Sequence, residues 1–303
     1  MTDDRYMRFY KRAVNMDANK KTCGGYLNML HRFVPQCEIL DAEGCEILSA
    51  MPQGSIALSQ LTEDSRAVLI GKGILFDAGG WNLKNYECDM HDMFADMAGS
   101  ALTAAAHRSV YDRYEDPGIA WMSPLAVNYP TPLMYPGGIY TIGNHIVEVI
   151  DTDAEGRLVL AECMAWIGSR SIPPKHMITV GTLCGAGDLG PTWGTWTTNS
   201  DILADYMQAA VSESKEKFWR YPLDFDQLPG LKSTRSDLMN VPLSTSIPMG
   251  HSMDAPLFLS HFVPEETEWL HIDIADAVLR NRKASGFGLT TLIKLLESII
   301  EAD

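Results

Sequence analysis

The ten residues Ala67-Val-Leu-Ile-Gly-Lys-Gly-Ile-Leu-Phe76 are apolar almost throughout, with one lysine, Lys72, near their middle. A run of this length without polar alternation reads as a strand buried on both faces, which requires a sheet with cover on each side. Lysine is rarely buried without a partner, and desolvation lowers its pKa, so Lys72 marks this strand as more than core. Further apolar strands are expected at 118–125 and 177–183. Helices are expected at 97–110, 157–167, 200–216 and 289–301, the first of them rich in small residues suited to tight packing. Strands alternating with helices argue for a layered α/β fold. Residues 1–22 are polar and mixed and read as a helix or a loose arm, and 35–60 carry no clear assignment. No Pro/Gly/Ser-rich linker divides the chain after residue 67.

Composition narrows the function classes. A hydrophobic fraction of 46% and a charged fraction of 21% are those of a globular protein. The net charge of −15 argues against a nucleic-acid surface, and Lys20-Lys21 and Arg280-Asn-Arg-Lys283 are the densest basic spots. Six cysteines, at 23, 37, 45, 88, 163 and 184, show no C-x-x-C spacing, as expected of free thiols in a reducing compartment. The polar N-terminus lacks an apolar targeting segment and no run is long enough to span a bilayer, so the expected location is cytoplasmic, without a membrane partner.

Ionisable residues gather in two short segments at expected strand or loop ends, where α/β proteins place their sites. One carries Lys72, Asp77, Lys84 and Asp96; the other is Asp151-Thr-Asp-Ala-Glu-Gly-Arg157. On an extended loop Asp153 and Glu155 would point to the same side. Converging carboxylates repel one another and call for cations, either basic side chains or divalent metals. Taken singly, each piece has a plain structural explanation. Asp-x-Glu suits a solvated loop or a helix N-terminus, Asp77 and Gly71, Gly73, Gly79 and Gly80 suit turns, and Arg157 suits an ion pair.

In combination and order, five segments resemble the leucyl aminopeptidase family of cytosolic dinuclear metallopeptidases. These are Ile70–Lys84 (Ile-Gly-Lys-Gly-Ile-Leu-Phe-Asp-Ala-Gly-Gly-Trp-Asn-Leu-Lys), Met93–Gly99, Asp151–Leu160, Gly181–Ala186 and Trp269–Ala275. The resemblance implies a peptide hydrolase with two divalent ions, Zn or Mn, or alternatively Mg or Co, acting on peptides with a free N-terminus. It implies Asp77 and Glu155 as bridging carboxylates, Asp153 on the first ion, and Lys72 and Asp96 on the second, Lys72 as its neutral amine. Lys84 resembles the electrophilic lysine, and Arg157 the arginine that holds a bicarbonate proton shuttle. Thr182, Leu183 and Gly185 would line the groove and receive the substrate backbone, with Asp151 beside it. Met93 would wall the first side-chain pocket, or serve the core. The expected fold is α/β: three layers, α/β/α, around a central mixed, largely parallel sheet. Residues 23–303 would form one catalytic domain without the family's separate N-terminal domain, and a homo-hexamer is implied.

The chain departs from the family pattern at several positions. One extra residue separates Lys84 from Asp96. Asp151 stands for Asn, Cys184 for Thr and Asp276 for Gly, and Pro248–Asp254 differs from the usual small-residue run. The charge of Asp254 or Asp151 would bias the pocket toward basic or polar N-terminal residues. A silent homologue of the same fold would be expected to lack a ligand, and none of the five is missing. A hydrolase using Cys184 as nucleophile lacks a matching His/Asn signature, and no phosphate-binding G-x-x-x-x-G-K-[ST] occurs.

Overall fold

The computed structural model describes residues 4–85, 89–243 and 251–302. The central sheet is mixed and largely parallel, as the strand-helix alternation requires. Its strands are β1 (Glu38–Asp41), β2 (Ser55–Ser59), β3 (Ala67–Gly71), β4 (Gly73–Asp77), β5 (Ile119–Asn128), β8 (His176–Gly181), β9 (Gly194–Thr198), β10 (Phe218–Arg220) and β12 (Glu268–Asp273). Their order is β1-β2-β5-β3-β8-β12-β9-β10, with β4 beside β5. The middle pairs β5/β3, β3/β8 and β8/β12 are parallel, while β1/β2, β2/β5 and β12/β9 are antiparallel.

Side chains on these strands alternate between two cores. Leu69, Trp121, Ile178 and Ile272 face one; Ile70, Met122, Met177 and Trp269 face the other. The first core is covered by α1 (Asp4–Val14), α2 (Cys23–Phe33), α4 (Ala98–Tyr111), α6 (Asp201–Ser214) and α8 (Leu289–Ala302). The second is covered by α3 (Glu46–Ala50), α5 (Glu155–Gly168), α7 (His251–Ser260) and a small sheet of β6 (Gly138–Ile142), β7 (His145–Val149) and β11 (Leu238–Met239). A two-strand ladder, β13 (Leu279–Arg280) with β14 (Lys283–Ala284), lies apart.

One expectation changes and one choice between alternatives is decided. The apolar run 67–76 is not one strand: it is interrupted at Lys72, whose carbonyl accepts from the Ser100 amide (2.8 Å) outside the sheet, leaving β3 and β4, which both pair with β5. The N-terminal segment is not a loose arm. Tyr6, Phe9, Tyr10, Ala13 and Val14 recur at helical spacing and bury one face of α1 in the first core. The unassigned stretch 35–60 supplies β1, α3 and β2.

Candidate metal centre

The charged segments meet beyond the C-terminal ends of β4, β5, β8 and β12, the usual place for a ligand crevice in a parallel sheet. Lys72 follows β3, Asp77 ends β4, Asp96 lies two residues before α4, and Glu155 opens α5. Asp153 and Glu155 do not sit on an extended loop as expected. Asp153 lies in a turn, its amide donating to Asp151 Oδ1 (2.8 Å), and Glu155 lies in the first turn of α5, where the helix dipole favours a carboxylate.

Oxygen atoms of Asp77, Asp96 and Glu155, all buried, lie within 4.8 Å of one another. Two lysines are threaded between the carboxylates. Lys72 Nζ is 2.9 Å from Asp96 Oδ1 and 2.9 Å from Glu155 Oε1, and donates to Thr182 O at 2.8 Å. Lys84 Nζ is 2.9 Å from Asp77 Oδ2 and 2.6 Å from Asp153 Oδ1. Gly156 permits the Lys72 approach, since a Cβ there would meet Lys72 Cε at 2.5 Å. Gly79, at φ +90°, turns the chain beneath Lys84, and a Cβ would strike Asp153 Oδ1 at 2.9 Å.

The electrostatics record a shortage of cations. Burial alone would lower the pKa of Lys72, yet Asp96, Glu155 and Asp77 together hold it well above the ordinary lysine range. Lys84 is likewise raised against burial by Asp77 and Asp153. Burial, then the charge of Asp77, pushes Asp153 up to about 7, and Glu155 is raised by the same two causes. Asp96 is raised by burial, against the pull of Lys72. Four carboxylates thus face two ammonium groups, and Asp96 Oδ2 has no hydrogen-bond partner among the described residues. Hard oxygen donors in this number and proximity fit divalent cations.

Residues the sequence reading did not single out hold the carboxylates in place. Asn128, fully buried at the end of β5, directs Nδ2 to Asp77 Oδ1 (2.7 Å), Thr152 O (3.0 Å) and Glu155 Oε2 (3.1 Å). Thr152 and Asn82 exchange hydrogen bonds of 2.9 and 3.0 Å, joining the 77–84 loop to the 151–155 loop. Asn240 donates to Asp151 O (2.6 Å) and accepts from the Ile150 amide (2.8 Å).

The remaining expected residues fall around this centre. Arg157 does not pair with the carboxylates; its guanidinium donates to Asn240 O (2.8 Å) and Cys184 Sγ (3.4 Å). Thr182 joins the acid cluster itself, donating to Asp96 Oδ1 at 2.6 Å. The amides of Leu183, Cys184 and Gly185 donate to Asp273, and that of Ala186 to Asp276, so this stretch is braced from within. Met93 is half-buried and belongs to neither core. Asp151 is used by the Asp153 turn, and Asp254, only 5% exposed beside Cys184, is not an open groove charge. Burial raises the Cys184 thiol to about 11, against the pull of Arg157. Residues 86–88 of the stretch between Lys84 and Asp96, and 248–250 of the 248–254 segment, lie outside the described residues.

The catalytic-domain profile of the cytosol aminopeptidase family matches residues 36–293. The chain belongs to that family. A probable cytosol aminopeptidase of Trichormus variabilis is 33% identical over 283 residues, 85% of this chain and 56% of that protein. Leucine aminopeptidase 2, chloroplastic, of Oryza sativa subsp. japonica is 35% identical over 280 residues, 84% of this chain and 46% of that protein. The chain therefore spans about half the length of these curated family members. Among solved structures, the bottromycin maturation enzyme BotP in complex with Mn superposes with a TM-score of 0.86 at 26% identity, over 98% of this chain and 70% of that one. In this family member three of the segments of resemblance, and Thr182 of a fourth, meet at one centre that holds Lys72, Asp77, Lys84, Asp96, Asp153 and Glu155, with Arg157 at its side through Asn240.

Proposed function

We propose that the chain is a metal-dependent aminopeptidase that hydrolyses the N-terminal bond of peptides at a two-metal centre. The observation that carries the reading is the convergence of Asp77, Asp96 and Glu155 within 4.8 Å, with Asp153 alongside, in a member of this family. Asp77 and Glu155 would hold both ions, Asp153 one of them, and Asp96 and Lys72 the other. Coordination by Lys72 requires its proton to leave, and an incoming dication neutralises the carboxylates that now retain that proton.

Divalent ions bound here would supply Lewis acidity to a scissile carbonyl and lower the pKa of water. The free amine of a peptide would be held at one of the ions, which favours cleavage at the first bond. The chain's own groups supply the rest. Lys84, with a side chain 11% exposed and held charged, donates to the oxyanion that develops on the carbonyl. Arg157 would hold bicarbonate as proton acceptor through the planar fork that suits such an anion. Thr182, Leu183 and Gly185 would line the groove, with Met93 as a wall of its first pocket.

A homo-hexamer in the cytosol belongs to the same proposal. Exposed Trp81 (54%) and Leu83 (59%) on the Lys84 loop support it, since apolar surface of this kind suits self-association. The test is hydrolysis of Leu-, Met-, Arg- and Lys-amides as purified, after chelation, and after return of Mn²⁺ or Zn²⁺. Activity lost and restored supports the reading; a folded, metal-loaded chain with no turnover would make it a silent homologue.

A further inference from the structure

The N-terminal helix pair builds a basic groove that the net charge of −15 conceals. Arg5, Arg8 and Arg12 recur at helical spacing along α1, and Arg32 stands opposite on α2. Together they line a cavity of about 690 Å³ that no carboxylate lines among the described residues. That volume is within the range of ligand pockets, about 300–1,000 Å³. The floor is apolar: the rings of Phe9 and Phe33 stack at 3.6 Å between centroids and 4° between planes. Arg5 is engaged by Asp112 at 3.1 Å, and Arg8 by Asp4 on its own helix. Arg12 and Arg32 make no ion pair or hydrogen bond among the described residues, and both are exposed. Two uncompensated guanidinium groups beside two engaged ones, over an apolar floor, leave a local positive charge on an acidic protein.

We propose that this groove binds an acidic peptide segment in extended conformation. Arg8 and Arg12, four residues apart on α1, are separated by a helical rise of about 6 Å. An extended chain repeats its same-side side chains every two residues, at about 6.6 Å, so carboxylates at alternate positions match that spacing. From Arg5 to Arg12 the rise is about 10 Å, too long for one compact anion to bridge and about three residues of extended peptide. Guanidinium forks pair with carboxylates bidentately, and the apolar floor offers contact to the methylene groups of the acidic side chains. The groove uses none of the residues of the metal centre, so its occupancy does not depend on the aminopeptidase reading.

The experiment is calorimetric titration of the intact protein with acetyl-Glu-Ala-Glu-Ala-Glu-amide, whose blocked N-terminus offers nothing to an aminopeptidase centre. The lysine counterpart and inorganic tripolyphosphate are run in parallel. Binding of the acidic peptide, absence of binding by the lysine peptide, and at least tenfold weakening in the Arg12→Glu/Arg32→Glu double variant support the proposal. The Arg12→Gln/Arg32→Gln variant, which retains helix-forming side chains, should also weaken binding while its circular dichroism stays unchanged. No binding of the acidic peptide to the native chain, or binding indifferent to both double variants, would overturn it. Binding of tripolyphosphate but not of the peptide, lost in the same variants, would equally overturn it in favour of a phosphate site.

Discussion

Lys72 and Glu155 face each other at 2.9 Å with side chains 4% and 0% exposed, a buried ion pair at the point where one apolar run breaks into two strands. Removing one partner of such a pair leaves an uncompensated buried charge. Lys72→Met should therefore destabilise the metal-free chain by about 3 kcal/mol, following the cost of breaking a buried pair. Urea unfolding in chelator checks this, and Mn²⁺ should restore less stability to the variant than to the native chain, because one proposed ligand is gone.

Lys84→Met should lower kcat by about 10²–10³ with a much smaller change in KM, the signature of a group that acts on the transition state. Steady-state kinetics on Leu-amides separate the two parameters. A rise in KM alone would make Lys84 a substrate-binding residue.

Asn128→Ala should weaken divalent metal binding by about 10–100-fold, as loss of a partner that orients metal ligands does. Its amide reaches both Asp77 and Glu155, so neither carboxylate keeps its orientation without it. Titration with Mn²⁺ after chelation gives the affinity directly and independently of turnover.

Lys21 makes a prediction about pH. It is 3% exposed, donates to Val14 O (2.8 Å) and Phe94 O (2.5 Å), and burial lowers its pKa to about 7. An unfolded lysine titrates near about 10.4. Between these values the unfolded chain binds the extra proton, so the Lys21 contribution makes stability rise with pH across that window. The difference in unfolding free energy between the native chain and Lys21→Met should increase from pH 7 to pH 9.5. A difference that stays flat would mean that the two carbonyls keep the ammonium charged throughout.

Cys184, with its thiol raised to about 11, stays protonated at neutral pH. Iodoacetamide at pH 7.5 should leave hydrolysis largely intact, and Cys184→Ala should retain activity. Loss of activity in both would revive a cysteine nucleophile.

What the sequence disclosed follows from where each signal resides. The strand at 67–76, the small-residue helix now at Ala98–Tyr111 and the acidic segments are local patterns, and their roles in the fold are readable before any tertiary contact is known. The break at Lys72 was not readable, because it depends on the Lys72 carbonyl accepting from the Ser100 amide at the start of α4, a tertiary contact. Asn128 and Asn240 act entirely through long-range contacts, and an asparagine at a strand end carries no distinguishing local signal. The spacing of Tyr6, Phe9, Tyr10, Ala13 and Val14 was legible and marks α1 as a core helix, as does the Arg5, Arg8, Arg12 row on its other face. Charged residues between these positions make the segment look merely polar. Asp153 and Glu155 reach the acid cluster through a turn and a helix start rather than an extended loop, a difference that depends on the local fold and not on residue type.

The most direct test of the central claim is metal dependence of aminoacyl-amide hydrolysis by the purified chain. Turnover should disappear on chelation, return with Mn²⁺ or Zn²⁺, and be absent in Glu155→Ala at any metal concentration. Turnover that survives exhaustive chelation, or that Glu155→Ala retains in full, would contradict it.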